Sequence, residues 1–269
     1  MTRTRSIAVA QTVPIRGRVS ANLEQHIRLV RVAALERAQV VAFPELSLTG
    51  YEPDLAEELA FTENDSRLAP LVDAAASNEI IVIAGAPVRI DSRLFIGAFI
   101  ALPDRRVELY TKHHLGACSA AARCDSVATD GAIPPAEATV FHPGDRNPLV
   151  RFGGDVAAVA VCADTGRATH PQAAADRGAT IYLASMFVIP SKFQREGMGL
   201  GVYATRHAMV IAFANFGGPS GGLASAGRSS IWSEKGELVA QLDARGIGVA
   251  LAAESEVGWR GKTIMLDRA

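Results

Sequence analysis

Cys162 ends the apolar run 156–161, and small or polar residues, Ala163, Asp164, Thr165 and Gly166, follow it at once. A buried strand that stops at a cysteine and turns presents the thiol at the edge of a sheet, where a nucleophile elbow holds its reactive atom. Two other apolar runs end on groups that could serve such a thiol. Residues 40–43 run into Pro44 and Glu45, and residues 107–110 into Thr111 and Lys112. In an open α/β sheet, ligands bind beyond the carboxyl ends of the strands. If these strands are neighbours, a thiol, a carboxylate and an ammonium converge there. A free thiol titrates near ~8.5 and needs a base or a positive neighbour to attack. Glu45 can take its proton. Lys112 can stabilise the thiolate and then the oxyanion on an attacked carbonyl, with the Ala163 backbone N–H as a second donor. Singly, each residue has a plainer use: free cysteines are mostly buried, a glutamate suits a helix start, and a lysine suits the surface. None of those uses accounts for the three together.

The elements that must position them alternate. Strand-like runs at 7–10, 40–43, 80–83, 156–161, 180–183 and 210–213 are separated by helical patterns at 21–38, 66–77, 171–176 and 199–208. Within 21–38, Leu23, Ile27, Val30 and Ala34 recur at helical spacing. Residues 98–102 and 107–110 read as a hairpin, and 230–232 and 238–242 as two strands flanking a turn. The alternation predicts an α/β fold, and the hairpins make its sheets mixed. The stretch 116–155 is a long loop rich in Ala, Pro and Gly, of the kind that covers or lines sites.

Composition narrows the function classes. A chain of 269 residues with 49% hydrophobic and 20% charged residues can bury a substantial core. A net charge of -1 leaves no basic footprint for nucleic acid. No stretch approaches the ~18 apolar residues of a membrane span, and the run 7–10 is too short for a signal peptide. Three cysteines, Cys118, Cys124 and Cys162, fit neither a disulfide framework nor a zinc pattern. The expectation is a cytoplasmic protein with no metal, no nucleic acid and no membrane among its partners.

Three segments resemble the signatures of the nitrilase (carbon–nitrogen hydrolase) superfamily, in its order and rough spacing. They are Phe43-Pro-Glu45-Leu-Ser-Leu-Thr-Gly50-Tyr51, Tyr110-Thr-Lys112-His-His-Leu115 and Val161-Cys162-Ala-Asp164. Glu137-Ala-Thr-Val-Phe141-His-Pro-Gly144 resembles the segment that supplies a second active-site glutamate. Further similarity lies at 177–185, at Ala214-Asn215 and at 226–231 before Gly236. The resemblance implies a four-layer α-β-β-α sandwich and one domain over 1–269, with a core of about 7–242 and a C-terminal extension, 243–269. It implies Glu45 as general base, Cys162 as nucleophile on an amide, carbamoyl or nitrile carbon, Lys112 as stabiliser of the tetrahedral intermediate, and Glu137 as a residue positioning Lys112 or substrate. It further implies a small amide or N-carbamoyl substrate, no cofactor, and assembly into a homodimer or larger homo-oligomer.

The chain departs from the pattern after the cysteine. Many members carry a Phe-Pro-Glu-like element there; residues 164–172 are longer and lack that glutamate. This stretch is expected to shape the pocket. The candidate substrate-binding residues are Ala163, Tyr51, Met186, Phe187 and His170. Core packing is the alternative for Tyr51, Met186 and Phe187, and a helix start the alternative for His170. Asp164 is expected as a cap or supporting residue, and His113 and His114 in structural contacts. Three rival functions remain: acyl transfer to an amine, a catalytically idle binding protein on this fold, and a glutaminase module serving a synthetase on a partner chain.

Overall fold

The computed structural model describes residues 5–116 and 136–267. Cys118 and Cys124 lie outside the described residues. In chain order the elements begin with β1 (Ser6–Gln11), α1 (Val19–Leu35), β2 (Val40–Ala42), α2 (Ala56–Leu59) and α3 (Ala69–Ser77). Next come β3 (Ile81–Ile90), β4 (Arg93–Ala101), β5 (Val107–Thr111), β6 (Leu149–Phe152), β7 (Asp155–Val161), α4 (Thr169–Asp176) and β8 (Ile181–Ser185). The last are α5 (Leu200–His207), β9 (Val210–Ala214), β10 (Ser230–Trp232), β11 (Leu238–Gln241), β12 (Ile247–Ser255) and β13 (Gly258–Leu266).

The strands form two mixed sheets. One runs β13-β12-β1-β2-β3-β4-β5 and the other β11-β10-β9-β8-β7-β6. Pairing is parallel through β1, β2 and β3, and through β7, β8 and β9. Of these, β2 and β7 lead into Glu45 and Cys162, and β5, antiparallel to β4, leads into Lys112.

Alternation along each strand sorts the apolar residues into three cores, because successive side chains point to opposite faces. Ile7, Val9, Val40, Ala42 and Ile83 from one sheet meet Val159, Val161, Leu183 and Ala212 from the other. On the far face of the first sheet, Ala8, Val41 and Val82 pack on Leu29, Val30 and Ala33 of α1 and Leu71 of α3. On the far face of the second, Ala158, Tyr182 and Phe213 pack on Ala174 of α4 and Leu200 and Ala204 of α5. Three cores between four layers make the α-β-β-α sandwich. Strands buried on both faces read as unbroken apolar runs.

The C-terminal segment 243–269 contributes two strands. Residues 247–255 form β12, which pairs antiparallel with β1 from Ser6 to Gln11, so this strand lies inside the sheet. β13 forms its edge, pairing only with β12. Part of the predicted loop 116–155 is also ordered, as β6 and a short 3-10 turn at Glu137–Thr139.

Candidate active site

Glu45 follows β2 on a segment clamped from both sheets. Its backbone N–H donates to the Met186 carbonyl just past β8, and the Leu48 N–H donates to Gly85 in β3. A side chain on Gly85 would drive a Cβ to 2.4 Å from the Leu46 nitrogen, so glycine permits this approach. Ser47 Oγ accepts from the Gly85 N–H and pairs with His26 Nε2 at 2.9 Å. His26 is stacked on Phe43, and its burial lowers its pKa to about 4, so it holds the segment as a neutral ring. Leu46 and Cys162 both adopt left-handed backbone, φ 51° and φ 44°. Such conformations cost a non-glycine residue about 1–3 kcal/mol and persist where packing imposes them. Here they flank the chemistry on each sheet.

Lys112 follows β5 and is wholly buried. Its Nζ donates to Glu45 Oε1 at 2.6 Å and to both oxygens of Glu137 at 2.8 Å. Glu137 also accepts from Tyr51 OH at 2.7 Å and from the Gly116 N–H at 2.5 Å. Burial opposes the lysine's charge, but Glu45 and Glu137 outweigh it and raise its pKa, so it stays an ammonium. Two carboxylates share that single cation. The shortfall falls on Glu45, whose pKa rises to about 7 through burial, against the pull of Lys112. Its second oxygen, Oε2, is buried without a hydrogen-bond partner. Cys162 feels this carboxylate: burial first and Glu45 second push the thiol pKa up, opposed by Lys112. The resting Cys162 is therefore a neutral thiol, with Glu45 as the carboxyl group acting on it.

These residues open onto a cavity of about 660 Å³, within the range of small-molecule sites. Glu45, Glu137 and Cys162 are part of its lining, the two carboxylates buried and so at its inner end. Tyr51, Ala163, Met186 and Phe187, expected at the pocket, line it. Ala163 sits in the first turn of a 3-10 helix, Cys162–Gly166, where backbone N–H groups have no partner within the helix.

His170 is placed differently from its pocket assignment. It lies in the first turn of α4, only 7% exposed, outside the cavity lining. Its Nε2 pairs with Tyr110 OH at 2.9 Å and its Nδ1 with Tyr182 OH at 2.8 Å. Burial lowers its pKa to about 4. The same network centres on Asp164, fully buried, which accepts from Tyr110 OH, the Val161 N–H and both the backbone N–H and Nδ1 of His114. It ties the segment bearing Lys112 to the turn bearing Cys162. Sequence reasoning did not single out Arg167, Lys192, Arg195 and Tyr203 as cavity residues. Their signal was position: each sits on a segment following a parallel strand of the second sheet.

Comparison with known proteins agrees with this architecture. The sequence profile described as carbon-nitrogen hydrolase matches residues 6–256. The chain belongs to the carbon–nitrogen hydrolase family. As a member it is a hydrolase, and the nitrilase-superfamily resemblance of its three motifs stands. It is 25% identical over 240 residues to a glutamine-dependent NAD(+) synthetase of Thermotoga maritima, covering 87% of this chain but only 39% of that protein. Solved structures of the amidase from Nesterenkonia sp. AN1 share the fold. One, a double mutant in complex with acrylamide, has a TM-score of 0.79 at 23% identity, covering 95% of this chain and 92% of that one. Another, a mutant with the acetamide moiety of fluoroacetamide added covalently at the active-site cysteine, matches equally. Among the described residues, no helix is long and apolar enough to cross a membrane, and no group of three His, Cys, Asp or Glu side chains could hold a metal ion.

Proposed function

We propose that this chain hydrolyses the C–N bond of a small amide or N-carbamoyl compound through a covalent intermediate on Cys162. The observation that carries the reading is the unpartnered Glu45 Oε2, on a carboxylate whose other oxygen is pinned by Lys112 and whose charge acts on the Cys162 thiol. In the first half-reaction Glu45 takes the thiol proton as Sγ bonds to the carbonyl carbon. Lys112 and the Ala163 N–H face the oxyanion. The C–N bond then breaks, and the leaving nitrogen takes the proton from Glu45. In the second, Glu45 takes a proton from water as its oxygen attacks the thioester. The C–S bond breaks, the acid leaves, and Glu45 returns the proton to the thiol. Glu137 holds Lys112 by two hydrogen bonds and keeps its charge in place.

The amidase structures that share the fold support amides over nitriles. The synthetase relative supports one second reading, an amide-bond hydrolase on L-glutamine that delivers ammonia to a partner. Ammonia release from a panel of small amides, L-glutamine, N-carbamoyl amino acids and nitriles tests both, with Cys162→Ala as control. Release that vanishes in the variant supports the mechanism and names the substrate class. Release unchanged in the variant contradicts it. A thiol inert to iodoacetamide would favour the idle-homologue reading. The proposal includes a reducing, cytoplasmic setting and a homo-oligomer. Leu238, Val257 and Met265, exposed on and beside the β12–β13 edge, support association, which light scattering measures.

A further inference from the structure

The cavity has two ends of opposite character. At the inner end, two carboxylates surround one buried ammonium. On the outer wall stand three cations, Arg167, Lys192 and Arg195, and one anion, Glu196. Glu196 is occupied: it accepts from Arg195 Nη2 at 2.8 Å. Arg167 and Lys192 have no ion-pair or side-chain hydrogen-bond partner among the described residues. They come from different elements. Arg167 caps the 3-10 helix that begins at Cys162, and Lys192 ends a 3-10 turn after β8, Pro190–Lys192. Strands β7 and β8 are parallel neighbours, so the segments leaving their carboxyl ends emerge at the same edge of the sheet, and both cations line the cavity. Apolar side chains, Leu115, Met186, Phe187, Ile189 and Leu200, line the same cavity.

We propose that the amide taken here carries a carboxylate, joined to the scissile carbonyl by a short apolar chain, and that Arg167 and Lys192 bind it. The proposal rests on the hydrolytic reading above and adds the charge and shape of the substrate. A guanidinium offers a carboxylate two parallel N–H donors and an ammonium adds a compact charge, so the pair fits a planar anion. A cationic amine tail is repelled by the same wall. A monoamide of a dicarboxylic acid has the required form, with an amide at one end, methylenes between and a carboxylate at the other. Hydrolysis would create a second carboxylate at the inner end, where Glu45 and Glu137 repel it, and so would assist product release.

The test compares glutaramate, the monoamide of a five-carbon dicarboxylic acid, with pentanamide, its neutral counterpart. The expected result is a kcat/KM for glutaramate at least about tenfold higher, as charge-assisted contacts of ordinary strength imply. That preference should reside in KM and shrink as salt is added. The double variant Arg167→Gln/Lys192→Gln should bring the ratio of the two kcat/KM values towards one. Equal rates in the native enzyme, or a preference untouched by the double variant, would overturn the proposal while leaving the cysteine mechanism standing. A second readout does not need turnover: protection of the Cys162 thiol from iodoacetamide. Protection by glutaramate but not pentanamide, lost in the double variant, supports the anion subsite even if neither amide is hydrolysed. Protection by neither overturns it.

Discussion

Two buried polar clusters meet at the segments bearing Lys112 and Cys162, and they differ in one respect. In the Tyr110–Asp164–His170–Tyr182 cluster the Asp164 carboxylate, both His170 ring nitrogens and the two tyrosine hydroxyls all have partners within ordinary hydrogen-bond distance. In the Glu45–Lys112–Glu137 cluster, one carboxylate oxygen has none, and one cation serves two anions. A satisfied network lowers the energy of one geometry and holds it. An unsatisfied one keeps an acceptor available and shifts a pKa towards neutrality, which is what a base requires. The contrast separates reacting groups from supporting ones within a few residues of sequence: Cys162 belongs to the first, Asp164 to the second.

The largest effect that could break this contrast is at the thiol. Cys162→Ala should lower turnover by about 10⁴-fold or more with the fold intact, measured by ammonia release and circular dichroism. Glu45→Gln comes next. It should reduce kcat by roughly 10²–10⁴-fold, the usual worth of a general base, without loss of thermal stability, because an incompletely neutralised buried carboxylate is removed. Comparable activity in that variant would mean that the free oxygen is not the base. The pH profile sharpens the same point. Glu45 must be ionised to accept the thiol proton and its pKa is raised to about 7, so kcat/KM should climb with pH through a midpoint near 7. A profile flat from pH 5 to 8 would argue against it. The supporting cluster should answer in stability instead. Asp164→Asn should destabilise the protein by roughly 2–4 kcal/mol in urea unfolding, since it disturbs several hydrogen bonds to a buried carboxylate. The smallest effect is expected for Tyr182→Phe. It should cost about 1–2 kcal/mol by leaving His170 Nδ1 without its partner, with kcat little changed. A large loss of kcat in Tyr182→Phe would dissolve the distinction between the clusters.

Much of this arrangement was readable before any coordinates. The strands before Glu45 and Cys162 declare themselves because buried parallel strands are apolar throughout and stop abruptly at polar residues, whereas β5, before Lys112, is antiparallel to β4 and showed as half of a hairpin. The α/β class followed from the alternation of periods. What failed to show depends on long-range burial. β12 was missed because Gly248 and three alanines between Ile247 and Ser255 weaken a strand pattern, and pairing with β1 and β13 confers its order. β3 continues through Gly85 and Pro87 to Ile90, residues that on their own argue against a strand. His170 could be a pocket or a scaffold residue until Tyr110 and Tyr182 were found on its two nitrogens. The cavity cations were invisible because an exposed Arg or Lys in a loop looks like any solvated charge.

The central claim is that acyl transfer passes through a thioester on Cys162, and product partitioning tests it most directly. An amide and an ester of the same acid would be turned over in the presence of hydroxylamine, and acid and hydroxamate measured. A common acyl-enzyme predicts the same hydroxamate-to-acid ratio from both substrates, with neither product formed by Cys162→Ala. A ratio that depends on the leaving group, or hydroxamate formed by the variant, would contradict the account.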